Sequence, residues 1–151
     1  MKNLISLLLC VFTFQTKAQT FKNPDLLFDP TPYGFSHASS VKTPGEFVYI
    51  SGQSGGLGKN HSLSPDFRIQ VKIALENLKV ILSSYNLKPE NVMKITILIV
   101  DHSPEKLKIW EEEISKVWNG KPFPASTLIP VPKLALDGML IEVDAIAFKA
   151  N

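Results

Sequence analysis

This chain of 151 residues has one cysteine, Cys10, and one arginine, Arg68. A lone thiol excludes an internal disulfide framework and any site built from several cysteines. A lone guanidinium leaves a single side chain able to fork onto a carboxylate or phosphate. With 16 Lys and Arg against 14 Asp and Glu, no basic stripe stands out, so no nucleic-acid partner is expected. His37, His61 and His102 lie in separate segments without metal-ligand spacing, so neither a metal nor another cofactor is expected. Nor is there an apolar run of roughly 18 residues, the length needed to cross a bilayer as a helix, and no stable membrane anchor is expected.

What apolar run there is opens the chain. Lys2 gives a short basic start, Leu4 to Phe14 is an apolar run of eleven residues, and Thr16-Lys17-Ala18 places small residues where a signal peptidase cuts. Residues 1–18 therefore read as a secretory signal cleaved near Ala18, which predicts an exported protein, periplasmic or secreted. Leu9 stands where lipoprotein processing at Cys10 would want a small residue. Cleavage takes away Lys2, Lys17 and Cys10, so the remaining residues 19–151 carry a formal net charge of zero and no thiol. Their length suits one domain.

Residues 19–32, rich in polar groups and proline, are expected to run extended along the surface, with the folded domain spanning 33–151. A short strand is expected around His37 to Val41. Phe47 to Ser51 alternates faces and stops at Gly52, the sign of a strand entering a turn. Gly52, Gly55, Gly56 and Gly58 before Lys59 miss the phosphate-loop spacing by one residue, and Asn60 replaces its Ser or Thr, so a flexible hairpin turn is expected. Ser64-Pro65-Asp66 predicts a helix start capped by the serine hydroxyl. Phe67, Val71, Ala74, Leu78, Ile81, Leu82 and Tyr85 then recur at helical steps. Val92 to Val100 is nearly continuously apolar, as in a strand covered on both faces. Ser103-Pro104-Glu105 opens a second helix with Leu107, Trp110, Ile114 and Val117 on one stripe, closed at Asn119-Gly120.

Two further strands, near Ser126 to Ile129 and Met139 to Phe148, complete a β-β-α-β-α-β-β order. The expected fold class is α+β, a mixed sheet with two helices on one face. In the last strand Ile141, Val143, Ala145 and Ala147 point toward the helices, while Leu140, Glu142, Asp144, Ile146 and Phe148 point away. Leu, Ile and Phe together on that outer face call for a cover, and another copy of the chain is the available one.

Pro122-Phe123-Pro124-Ala125-Ser126-Thr127 followed by Leu140-Ile141-Glu142-Val143-Asp144-Ala145-Ile146-Ala147 resembles the signature of the Rid (reactive-intermediate deaminase, YjgF-type) family. Ser36-His37-Ala38, Ser51-Gly52-Gln53, Gln70 and Asn77-Leu78 fall in the same order and spacing. The resemblance covers about residues 33–148 and implies a chorismate-mutase-like fold assembled as a homotrimer, with small-molecule clefts between subunits. It also implies imine hydrolysis, in which an arginine grips the substrate carboxylate and a glutamate positions water. Here Glu142 holds the glutamate's place, which makes it the candidate catalytic residue. The arginine's place is held by Ser126, Phe35 stands where a tyrosine is frequent, and Ile109 stands where an asparagine is frequent. Phe35, Ser51, Gly52, Ile109, Ser126 and Thr127 are the candidate substrate-binding residues, with Lys133 or Arg68 as possible replacements for the lost guanidinium. The three departures point away from α-imino acid substrates. A non-catalytic trimeric binding or scaffold protein is the alternative, and an endoribonuclease the third reading, which the neutral charge disfavours.

Overall fold

The computed structural model describes residues 19–42 and 44–151; the expected signal sequence, 1–18, lies outside them. The elements are β1 Gln19–Lys22, a 3-10 turn at Thr31–Tyr33, β2 Ala38–Val41, β3 Gly45–Ser54, β4 Gly56–Leu57 and β5 Ser62–Leu63, followed by α1 Phe67–Ser84, a 3-10 turn at Pro89–Asn91, β6 Val92–Val100, α2 Pro104–Trp118, β7 Ala125–Val131 and β8 Ile141–Ala150. The main sheet runs β3-β8-β6-β7. Its first three strands are antiparallel neighbours, and β7 lies parallel to β6 after the α2 crossover. The fold is thus α+β, as the sequence suggests.

Each boundary has a local cause. Asp66, not Ser64, caps α1: its carboxylate accepts from the Ile69 amide at 2.9 Å, while the Ser64 hydroxyl accepts from the Asp66 amide at 3.1 Å. A carboxylate at the positive end of the helix both satisfies an orphan N–H and complements the dipole, so it outcompetes the hydroxyl two residues earlier. Ser103 caps α2 as expected, accepting from the Lys106 amide. Asn119 ends α2 in the left-handed region, at φ 43°.

The helices cover one sheet face. Val71, Ala74, Leu75, Leu78 and Leu82 of α1 and Trp110, Ile114 and Trp118 of α2 meet Ile95, Ile97 and Ile99 of β6 and Ile141, Val143, Ala145 and Ala147 of β8. Each large aliphatic side chain so buried contributes on the order of 1.5–3 kcal/mol. Leu75 and Trp118 join the stripes read from the sequence, whereas Tyr85 ends up exposed, beyond the helix end.

Residues 19–32 do more than run along the surface. Their first four residues form β1, which pairs antiparallel with β2 in a separate two-stranded sheet. The Gln19 amide donates to the carbonyls of Asn91 and Phe148, tying this sheet to the main one. The glycine segment is a hairpin, β4 against β5, turned through Gly58 at φ 62° and His61 at φ 50°. It is held from below by the Asn77 amide, which donates to the carbonyls of Ser54 and Gly56 at 3.1 and 3.0 Å.

Between the helices, Glu113 is 3% exposed yet charged. Arg68 of α1 and Lys116 of α2 both donate to its Oε1 at 2.7 Å, and Arg68 also reaches Glu112. Burial works to raise the Glu113 pKa, but the hydrogen bonds from Lys116 and Arg68 outweigh it, so the folded value lies below the ordinary one. A depressed carboxylate pKa contributes stability that is fully present above the unfolded value, about 4.3, and is lost as pH falls through the folded value. Glu113→Gln is therefore expected to cost about 1–2 kcal/mol at pH 7 and little at pH 3. Urea unfolding at both pH values tests this, and an equal loss at both would refute it.

Candidate functional site

β6 and β7 are parallel with Ile95 opposite Ser126 and Ile97 opposite Leu128. Since Ile95 and Ile97 point into the core, Ser126 and Leu128 share the helix-facing side of the sheet. There they line a cavity of about 470 Å³ with Phe28, Tyr33 and Phe35 from the N-terminal segment, Ile97, and Leu107 and Trp110 from α2. Phe35 and Ser126 are thus brought together. Phe28 and Tyr33 line the cavity as well, and sequence reasoning did not single them out because they lie in or beside a proline-rich segment without periodicity.

Glu142 sits on the other face. It lies opposite Leu98 of β6 and Ser54 of β3, one residue out of phase with the core-facing Ile141 and Val143. Gly52 lies against it: a Cβ on Gly52 would fall 1.8 Å from Glu142 Oε1 and 2.7 Å from its Cγ. The β3 ladder shifts register between Ile50 and Gln53, and this bulge brings the glycine backbone onto the carboxylate. Ser51, exposed in the same bulge, flanks it. Strand alternation puts Thr127 on this second face too, where the Lys94 ammonium donates to its hydroxyl. Burial lowers the Lys94 pKa, and the Asp144 carboxylate partly opposes that shift.

Ile109 packs against the core from α2 and does not line the cavity; Leu107 and Trp110, on the neighbouring helical positions, do. Arg68 is engaged by Glu112 and Glu113 between the helices, and Lys133 is exposed and absent from the cavity wall. Neither puts a cation beside Ser126 within one copy. His37 bonds the backbone, its amide to the Asn23 side chain and its Nε2 to the Phe28 carbonyl, both at 2.9 Å. No group of three His, Cys, Asp or Glu able to hold a metal occurs among the described residues. Nor is any helix among them long and apolar enough to cross a membrane.

A single copy therefore presents two half-sites, an uncharged aromatic cavity on the helix side and a carboxylate over a glycine bulge on the other. The second face is also apolar at its margin, with Phe47 49% and Tyr49 75% exposed beside Ile146.

The comparisons narrow the class to one family. A family model described as Endoribonuclease L-PSP matches residues 31–149. RutC family proteins of Buchnera aphidicola and Aquifex aeolicus are 31% and 32% identical, each aligned over 80% of this chain and over 90% and 93% of their own lengths. Among solved structures, the Rid-family protein YyfB of Yersinia pestis superposes with a TM-score of 0.81 at 31% identity, covering 86% of this chain and 98% of that one. RidA of an Antarctic Psychrobacter gives a TM-score of 0.63 at 25% identity, covering 76% of this chain and 88% of its own. The chain belongs to the Rid/YjgF family, the one carrying the Endoribonuclease L-PSP description.

Proposed function

We propose that this is an exported, homotrimeric Rid-type protein whose clefts between subunits bind a small molecule without a carboxylate, and that it hydrolyses an imine or enamine there. The observation that carries the reading is the separation of Ser126 and Glu142 onto opposite faces of one sheet. Two half-sites that one copy cannot unite are complementary in an assembly that sets the outer face of one subunit beside the cavity of the next. Phe47 and Tyr49 supply apolar area for that contact. In such a cleft Glu142 of the partner subunit acts as general base for water, and Ser126 offers the substrate a neutral hydrogen bond.

The lost guanidinium decides the substrate class. A carboxylate placed against Ser126 would exchange its hydration shell for one neutral hydrogen bond, whereas a charge-assisted fork is roughly twice as strong per bond. Binding without chemistry is the second reading, favoured by the same uncharged cavity. Nuclease activity gains nothing from the formal net charge of zero after the expected signal cut, since phosphate binding needs clustered cations. Export rests on Lys2, the apolar run and Ala18, and an intact mass of secreted protein beginning at Gln19 is the expected result.

To test the chemistry, ammonia release is measured from neutral imines and from imines generated by an amino-acid oxidase. Neutral imines are expected to turn over, with Glu142→Gln slower by about a hundredfold, the lower end of what a positioned acid or base contributes. Gly52→Ala, whose methyl displaces that carboxylate, is expected to fall by a similar factor while still folding. Wild-type rates in Glu142→Gln would remove water activation by this residue; no turnover of either class would leave the binding reading alone.

A further inference from the structure

The cavity beside Ser126 has a composition that specifies its ligand further, on the reading that this cavity is the ligand cleft. None of its lining side chains is charged. The only polar side-chain atoms they offer are the hydroxyl of Ser126, the phenol of Tyr33 and the indole N–H of Trp110. All are neutral, so an anionic ligand would be desolvated without a counter-charge. Its volume, about 470 Å³, lies within the roughly 300–1,000 Å³ of small-molecule sites.

The walls are rings. Phe28 stands edge-on to Tyr33 and Phe35, with centroids 5.9 and 6.1 Å apart and interplanar angles of 83° and 68°. His37 backs this cluster 5.0 Å from Phe28 and 5.7 Å from Phe35, and its Nε2 is bonded to the Phe28 carbonyl. Phe28 nevertheless remains 60% exposed. A large apolar ring held in position by backbone contacts, yet left uncovered on the cavity side, leaves contact area for a further aromatic group in the edge-to-face arrangement already present.

We propose that the cavity takes a neutral, ring-bearing ligand and that Phe28, which precedes the residues 31–149 matched by the family model, is its specificity-determining wall. The substrate class then becomes an aromatic or heteroaromatic imine, or its carbonyl product, uncharged at neutral pH and accepting or donating one hydrogen bond at Ser126.

Indole and indole-3-acetate, which share one ring system and differ in charge, are titrated into the full chain at pH 7 by calorimetry. Indole is expected to bind at least tenfold more tightly than the anion. Phe28→Ala is expected to weaken indole about tenfold, an edge-to-face contact and its buried area being lost together. Phe28→Leu, which keeps an apolar side chain, serves if the alanine variant does not fold and is expected to weaken indole several-fold. Equal or tighter binding of indole-3-acetate would overturn the proposal, as would unchanged indole affinity in the Phe28 variant. If indole does not bind while neutral imines still turn over, the ligand class fails and the hydrolase reading stands. If indole binds as expected and no imine turns over, the reverse holds.

Discussion

Gln70→Leu lowers the stability of the fold by about 3 kcal/mol and its Tm by about 10 °C. The side chain is fully buried on the first turn of α1, with 0% exposure, and all of its principal hydrogen-bonding groups are used. Nε2 donates to the carbonyls of Ser64 and Gly138 at 2.6 and 2.7 Å, and Oε1 accepts from the Leu140 amide at 2.9 Å. Leucine has similar volume, so the loss comes from three backbone groups deprived of partners and not from a cavity. Each such group costs about 1–3 kcal/mol when dry, and the exposure of Gly138 to water brings the sum toward the low end. Two of these bonds, to Gly138 and Leu140, anchor the segment that enters β8 two residues before Glu142, so the variant should also blunt any activity that depends on that carboxylate. Thermal unfolding followed by circular dichroism measures the effect. A loss under about 1 kcal/mol would show that water replaces the amide and that the tether is dispensable.

The fold was legible where burial imposes a period. Val92–Val100, with no exposed residue along its length, matches its expected bounds because both faces demand apolar residues. The helix stripes were legible for the same reason. What escaped was set by pairing rather than periodicity. β1 is polar and four residues long, and it is a strand because Ala38–Val41 offers an edge and the Gln19 amide finds two carbonyls. The cap of α1 moved from Ser64 to Asp66 because choosing between two adjacent capping residues requires the backbone path.

Candidate site residues could be named from the sequence, but their arrangement could not. Alternation along β8 put Glu142 on the outer face, but nothing in a linear sequence fixes which face of β7 carries Ser126; that follows from its parallel register with β6. Thr127, one residue on, necessarily turns away from Ser126. The bulge at Gly52 was equally invisible, since a glycine after a strand reads as a turn. Phe28 carries no pattern of its own, and only the three-dimensional path of the N-terminal segment brings it to the cavity.

Ser126→Arg should restore what the family's usual arginine provides, raising the affinity for α-imino acids by about ten- to a hundredfold. The position is on the cavity side of β7, next to Leu128 and facing Trp110, so a guanidinium there enters the space that the aromatic walls enclose. Two parallel charge-assisted hydrogen bonds to a carboxylate replace a single neutral one. Uncharged imines gain no such fork and lose volume, so their affinity should fall, and the ratio of the two substrate classes should invert. Lys94 and Thr127 lie across the sheet and are untouched, which confines the change to the cavity. Ser126→Lys separates shape from charge: a point cation without the fork should recover only part of the gain. The measurement is kcat/KM for paired imines, with and without a carboxylate, in wild type and both variants. If arginine leaves the pair's ratio unchanged, the carboxylate end of the substrate is not read at Ser126.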